Sequence, residues 1–250
     1  MRLDGSVALV TGGSSGIGAA AARLLARAGA RTLVAGRDEA RLAAVAAETG
    51  GTPLRADLAV PGGAQALAQA ALAAAGRVDL LVSNAGAGWA GPIGELGPGA
   101  AQDLVAVNLT APIQLAALLV PGMVDRGHGR VVLVSSVAGT TGVRGEAAYS
   151  AAKGGLGYFA ESLGYELAGR GVGVSLVVPG VVDTPFFERR GRPYDRRRPV
   201  PVPAERVAEA IVAAARDDRR VVFVPGWLRF PAWLHGAAPP LFRALAARFG

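Results

Sequence analysis

Apolar residues fall in two rhythms along this chain. Short unbroken runs recur at Val7-Ala8-Leu9-Val10, Arg31 to Ala35, Val78 to Val82, Val131-Val132-Leu133-Val134, Val172 to Val178 and Val221-Val222-Phe223-Val224. They read as strands, and Pro53 to Leu58 as one more short strand with its exit. Between them lie alanine-rich stretches with helical spacing: one ending near Ala28, then Asp38 to Glu48, Gly63 to Ala75, Ala100 to Val120, Tyr149 to about Ala168, and Ala204 to Ala215. Strands alternating with helices over this length predict one parallel, doubly wound α/β sheet. Residues 1–224 form that unit; residues 225–250 differ in character.

Several breaks in the pattern carry candidate chemistry. After the first strand comes Thr11-Gly12-Gly13-Ser14-Ser15-Gly16-Ile17-Gly18, then a helix. A glycine-rich turn in that place lets backbone N–H groups approach a phosphate, and the helix N-terminus favours its charge. The alternative is a tight turn with close helix packing. The second strand ends at Gly36-Arg37, where dinucleotide sites read the ribose; an arginine there accommodates a 2′-phosphate, which favours NADP(H) and leaves NAD(H) as the other cofactor the site could take. Asp38 reads as a helix cap. Asp57 is a candidate for the adenine amino group, or a cap. Ser83-Asn84-Ala85-Gly86 offers small residues at a strand's end, where a cofactor can pass close to the backbone. Asn108 sits inside a helix and needs partners; by itself it reads as a satisfied core asparagine.

The most informative stretch is Ser136 to Lys153. Tyr149 and Lys153 are four apart on a helix and share a face, and the strand before them delivers Ser136 nearby. Lys153 is the only lysine in an arginine-rich chain. An ammonium beside a phenol lowers its pKa and equips it to exchange a proton with a substrate oxygen. The bland reading is a surface pair.

Composition narrows the classes. At 250 residues and 51% hydrophobic, the chain suits one large core. It has no cysteine and only His128 and His235, so disulfides and thiolate sites are excluded and no metal is expected. No apolar run looks long enough to span a bilayer, no signal peptide is expected, and a cytoplasmic location is the default. The formal net charge is +7, with much of the excess in Arg189 to Arg198. The cluster lacks the aromatic-basic interleaving of a nucleic-acid surface, so it reads as solvated arginine within a lid-like loop.

The ordered motifs, from the glycine turn through Asn84-Ala85-Gly86, Asn108, Ser136, Tyr149-xxx-Lys153 and Pro179-Gly180, resemble the short-chain dehydrogenase/reductase family over about residues 5–224. The resemblance implies a three-layered Rossmann-type fold and an oxidoreductase moving hydride between a nicotinamide and a carbonyl/alcohol pair. It implies Tyr149 as acid/base, Lys153 lowering its pKa and holding the nicotinamide ribose, Ser136 on the substrate oxygen, and Asn108 holding a water of a proton relay. For the cofactor it implies Gly12, Ser14, Ser15, Gly16, Ile17, Gly18, Arg37, Asp57, Leu58, Asn84, Ala85, Gly86, Tyr149, Lys153, Pro179, Gly180, Val182 and Thr184. Two departures stand out: Ser83 replaces a frequent second asparagine, and Ser15 stands where many NADP-preferring members carry a basic residue. The competing class is a non-catalytic dinucleotide-binding sensor, which has no need of all four of Asn108, Ser136, Tyr149 and Lys153.

The loops with Trp89, Val143, Phe186 and Phe187 suggest an apolar substrate, and the lid arginines could meet an acidic carrier or thioester. The extension holds Trp227, Phe230, Trp233, Phe242 and Phe249, with Leu241, Leu245 and Phe249 at helical spacing. It could lie on a membrane surface, or equally form a dimer interface or cover the cleft; packing on protein is the commoner fate of such a stripe. A homo-dimer or homo-tetramer is expected by resemblance.

Overall fold

The computed structural model describes residues 1–195 and 197–249. Arg196 of the lid cluster, Gly250, and the side chains of Arg248 and Phe249 at the end of the expected stripe lie outside the described residues. In chain order the strands are β1 Val7–Thr11, β2 Arg31–Gly36, β3 Thr52–Arg55, β4 Leu80–Ser83, β5 Gly129–Val134, β6 Val172–Pro179, β7 Val182–Asp183, β8 Val202–Pro203 and β9 Val221–Val224. Seven of them form one parallel sheet in the order β3-β2-β1-β4-β5-β6-β9, while β7 and β8 pair in a small separate ladder. The order reverses between β1 and β4. In such sheets the crevice at that switch, beyond the strands' C-terminal ends, is where ligands bind.

Side chains alternate across the sheet, and the alternation builds three layers. Leu9, Leu33, Leu81, Val131 and Leu133 face α3 (Gly63–Ala75), α5 (Ala111–Asp125) and α7 (Ala147–Glu166). Ala8, Val10, Val34, Val82, Val132 and Val134 face α1 (Gly16–Arg27), α2 (Glu39–Thr49) and α9 (Ala204–Asp217). Burial on both faces is why these strands read as unbroken apolar runs. Pro53 is tolerated because β3 is an edge strand. Asp38 caps α2 as expected, its side chain accepting from Arg41 N at 3.0 Å.

The helix expected over Ala100 to Val120 differs most. It runs from α4 (Pro98–Val105) through a π-turn at Ala106–Thr110 into α5. Pro112 has no N–H to offer the carbonyl of Asn108 four residues earlier, and the widened turn falls at that asparagine. The 28-residue stretch Pro98–Asp125 contains an 18-residue window with a mean hydropathy of 1.8. By length and composition it is therefore apolar enough to span a bilayer, contrary to expectation; here its Leu115, Leu119 and Met123 are buried in the core.

Two short helices, α6 (Ala138–Thr141) and α8 (Phe186–Arg189), flank the crevice. The extension folds into α10 (Arg229–Ala237) and α11 (Pro239–Phe249), joined by an edge-on contact of His235 with Phe242. Leu228 is buried, but Trp227, Phe230 and Trp233 are not; Trp233 is 63% exposed. Among the described residues, these three aromatic side chains thus remain more than half exposed.

Candidate active site

A single cavity of about 590 Å³ lies over the C-terminal ends of the strands. Its floor is the glycine turn. Gly12 and Gly16 take positive φ of 65° and 53°, and an added Cβ at Gly12 would meet the Ala85 backbone at 2.9 Å. Ser15 is the N-cap of α1 and makes no side-chain cap bond, leaving that terminus free to receive an anion. Gly18 does not line the cavity. A Cβ there would fall 2.2 Å from the Gly12 carbonyl oxygen, so the glycine lets the helix pack closely on the turn.

The rest of the expected cofactor set is gathered around this space: Ser14, Ile17, Arg37, Asp57, Leu58, Asn84, Ala85, Gly86, Pro179, Gly180, Val182 and Thr184 all line it. Asp57 also closes its own turn, accepting from Ala59 N at 3.0 Å. Asn84 Nδ2 donates to the Thr11 carbonyl at 3.0 Å, tying β4 to the glycine turn. Thr11 was not singled out by sequence, yet its buried Oγ1 accepts from both Asn84 N and Ala85 N at 3.0 Å. The spacing of its motif gave no sign of that role; only the neighbouring strand shows it.

At the far end stand Ser136, Tyr149 and Lys153, all on the cavity wall. Gly139 of α6 packs so tightly on α7 that a Cβ would lie 2.5 Å from the Lys153 carbonyl carbon, and this contact holds the Ser136 loop against the Tyr149 helix. Lys153 Nζ donates to the Val134 carbonyl at 2.9 Å and stands 6.0 Å from the centre of the Tyr149 ring. Asn108 is fully buried; its Nδ2 donates to the Ala87 and Leu104 carbonyls at 2.7 and 2.9 Å, and its Oδ1 has no protein partner. A Cβ on Gly86 would lie 3.0 Å from that oxygen and 3.7 Å from Lys153 Nζ, so both groups border the same glycine. Free helix N–H groups, a glycine-lined cradle and an unpartnered buried oxygen fit a dinucleotide and its ribose hydroxyls.

The electrostatics correct one expectation. Lys153 does not make the phenol acidic here. Burial raises the Tyr149 pKa above its ordinary value, opposed by the hydrogen bond with Ser136; Glu146 raises it further and Arg190 lowers it. Burial also brings Lys153 down to about 8. Both groups are desolvated, and desolvation disfavours whichever form is charged.

The lid also differs from a solvated arginine cluster. Arg190 is nearly buried, paired with Glu146 and stacked over the Phe187 ring at 4.5 Å. Phe186 lies 5.6 Å from the Tyr149 ring, centre to centre. Val143, Phe186 and Phe187 line the cavity as expected, whereas Trp89 does not, packing instead on the small cluster around Leu104 and Ala138.

This geometry agrees with what the chain is similar to. The short chain dehydrogenase family model matches residues 6–195. The 3-oxoacyl-(acyl-carrier-protein) reductase FabG of Escherichia coli (strain K12) is 33% identical over 228 residues, covering 87% of this chain and 93% of its own. A short-chain dehydrogenase from Sphingobium yanoikuyae, solved with NADPH, is 30% identical with a TM-score of 0.83, covering 95% of each chain. A short chain dehydrogenase/reductase from Burkholderia phymatum, solved with NAD, is 27% identical with a TM-score of 0.86, covering 96% of each. The parallel sheet in the order observed, the site at its switch point and these matches over most of the length place the chain in the short-chain dehydrogenase/reductase family, as an NAD(P)-dependent oxidoreductase acting on the CH–OH group.

Proposed function

We propose that the protein is an NADP(H)-dependent reductase of an apolar ketone, yielding a secondary alcohol, with Tyr149 as the proton donor. One observation carries this reading: a single cavity joins Arg37 and the glycine turn to Ser136 and Tyr149, and closes with Phe186 and Phe187. The similarity to FabG and the apolar end of the cavity favour a 3-oxoacyl thioester.

When bound, the reduced nicotinamide supplies the hydride. The chain supplies position and the proton. Ser136 steadies the carbonyl oxygen by donating a hydrogen bond, which favours the charge that develops there. Burial keeps the Tyr149 phenol protonated at neutral pH, the form that reduction needs, and its proton passes to the same oxygen. Lys153, with its pKa near 8, still carries its charge at neutral pH and stabilises the phenolate left behind. Asn108 Oδ1 and Lys153 border Gly86, from which a proton can be restored through water. The test is NADPH consumption with a 3-oxoacyl thioester and a panel of ketones, beside NADPH binding. Turnover abolished in Tyr149→Phe with binding retained supports the reading. Tight binding without turnover on any substrate overturns it in favour of the sensor.

The exposed apolar face of the extension supports a peripheral contact with an anionic membrane. Arg229 and Arg243 accompany Trp227, Phe230 and Trp233, and no acidic residue follows Asp218 in the sequence. Trp233→Asp should abolish co-sedimentation with anionic vesicles; equal partition of both proteins refutes the contact. Exposed Ile113, Leu118, Tyr158 and Tyr165 on α5 and α7 support a homo-oligomer, which gel filtration would reveal.

A further inference from the structure

Neighbouring arginines at the end of α8 face opposite ways. Arg190 turns inward, onto Glu146. Arg189 turns towards the glycine turn: its Nη2 donates to Ser15 Oγ at 3.2 Å, and its Nε to the Pro185 carbonyl at 3.2 Å. Arg189 is thus a lid residue resting on the cofactor floor. It lines the same cavity as Arg37, which arrives from the end of β2. Arg41, in the first turn of α2, does not line the cavity but acts on Arg189 through its charge. Burial first, then Arg41 and Arg37, lower the Arg189 pKa, with Glu188 acting the other way.

The charges in this group do not balance. Arg41 is paired with Asp38 at 3.0 Å. Among the described residues, neither Arg37 nor Arg189 has a carboxylate within ion-pair distance. Guanidinium groups stay charged, so the region holds unneutralised cations beside the positive end of α1. That arrangement suits a dianion with several oxygens, such as a phosphate monoester, which carries about −1.5 to −2 at neutral pH. Its position names the phosphate. The pyrophosphate of a dinucleotide is met by the turn and the N-terminus of α1, whereas the end of β2 reads the 2′-position of the ribose. Ser15, small and polar, holds the Arg189 guanidinium beside that position.

We propose that Arg189 of the lid joins Arg37 on the 2′-phosphate of NADP(H), so that the group distinguishing NADP(H) from NAD(H) also fastens the substrate lid. This rests on the NADP(H) reading above. The lid is short enough to transmit the effect. Phe186 and Phe187, on the single turn of α8 that ends in Arg189, form the apolar wall beside Tyr149. Fixing one end of that turn fixes the other.

Two measurements test this without relying on turnover. Isothermal titration with adenosine 2′,5′-bisphosphate, 5′-AMP, NADPH and NADH compares wild type with Arg189→Met, Arg189→Lys and Arg37→Met. Arg189→Met should weaken the bisphosphate and NADPH about tenfold, the scale of one charge-assisted hydrogen bond. NADH and 5′-AMP should stay within about twofold, which also shows that the variant is folded, and Arg189→Lys should recover part of the loss. Limited trypsin digestion of the arginine-rich segment 190–198 should be slowed by NADP⁺ more than by NAD⁺ in wild type, and equally by both in Arg189→Met. If Arg189→Met keeps NADPH affinity while Arg37→Met loses it, the cofactor reading stands and the lid contact is refuted. Equal loss of NADPH and NADH in Arg189→Met also refutes it, since the contact is then not with the 2′-phosphate. A wild-type protein without preference for NADPH overturns the cofactor reading and the inference together.

Discussion

Lys153 directs its ammonium to the Val134 carbonyl, 2.9 Å away, while standing 6.0 Å from the centre of the Tyr149 ring. The lysine is therefore anchored to the end of β5, and the phenol is governed by its own burial. The ammonium and the Asn108 oxygen both border Gly86, which lines the cavity. Burial of both Tyr149 and Lys153 separates them from a simple surface pair.

The lysine should leave a mark on stability as pH varies. Its pKa is about 8 in the folded chain against 10.5 unfolded. Below about pH 8 both states hold the proton, and the cost of the buried charge is constant. Between about 8 and 10.5 only the unfolded chain holds it, so this group's contribution to stability rises with pH. Tyr149, raised by burial above its ordinary 10.0, acts in the opposite sense only beyond pH 10. The melting temperature of the protein without cofactor, measured from pH 8 to 10, should show a rising component that Lys153→Met removes. An unchanged slope in that variant counts against the buried lysine.

Tyr149→Phe keeps the ring contacts and removes the proton. Turnover should fall by about 10²–10⁴, the usual scale of general acid–base catalysis, with NADPH affinity within about twofold. Stopped-flow reduction with single turnover checks whether the lost step is chemical. A variant with near wild-type kcat refutes the assignment.

The buried pair of Arg190 and Glu146 links the lid to the start of α7. Removing one partner strands the other's charge, which costs about 3–5 kcal/mol when burial is complete. Here the lid can open instead, so Glu146→Gln should read as a raised KM for substrate and faster cleavage within residues 190–198, with little change in melting temperature. The double variant with Arg190→Met should be less impaired than the sum of the two. Additive effects would show that the two side chains act independently.

Gly18→Ala tests the close packing of α1 on the glycine turn. The new methyl would lie 2.2 Å from the Gly12 carbonyl and 2.6 Å from Asn84 Nδ2, and overpacking of this kind costs about 1–3 kcal/mol. Lower thermal stability and weaker binding of NADPH and NADH alike are expected. A loss of cofactor affinity at unchanged stability would instead mean direct contact.

Much of the architecture is local in origin. A strand buried on both faces must be apolar throughout, and a helix on such a sheet must repeat its small residues every three to four positions. Both patterns are visible before folding, as the exact agreement at Gly63–Ala75 and Val221–Val224 shows. The positions of the glycine turn, Ser136, Tyr149 and Lys153 are legible for the same reason, because their spacing along one turn or one helix sets their geometry. What a side chain meets from a distant part of the chain is not encoded in its neighbours. Arg189 and Arg190 are adjacent in an arginine run, yet one meets Ser15 and the other Glu146, and only the folded lid separates them. Thr11 gains its two donors from Asn84 and Ala85, just past the end of β4, and Phe230 and Trp233 of α10 stay exposed because none of the described residues covers them. The direction of the Tyr149 shift depends on the sum of all buried surroundings, where desolvation outweighs the effect of the nearest cation. Periodicity and spacing thus determine the scaffold and the identity of the candidate groups, while long-range packing determines their burial and the contacts of the lid.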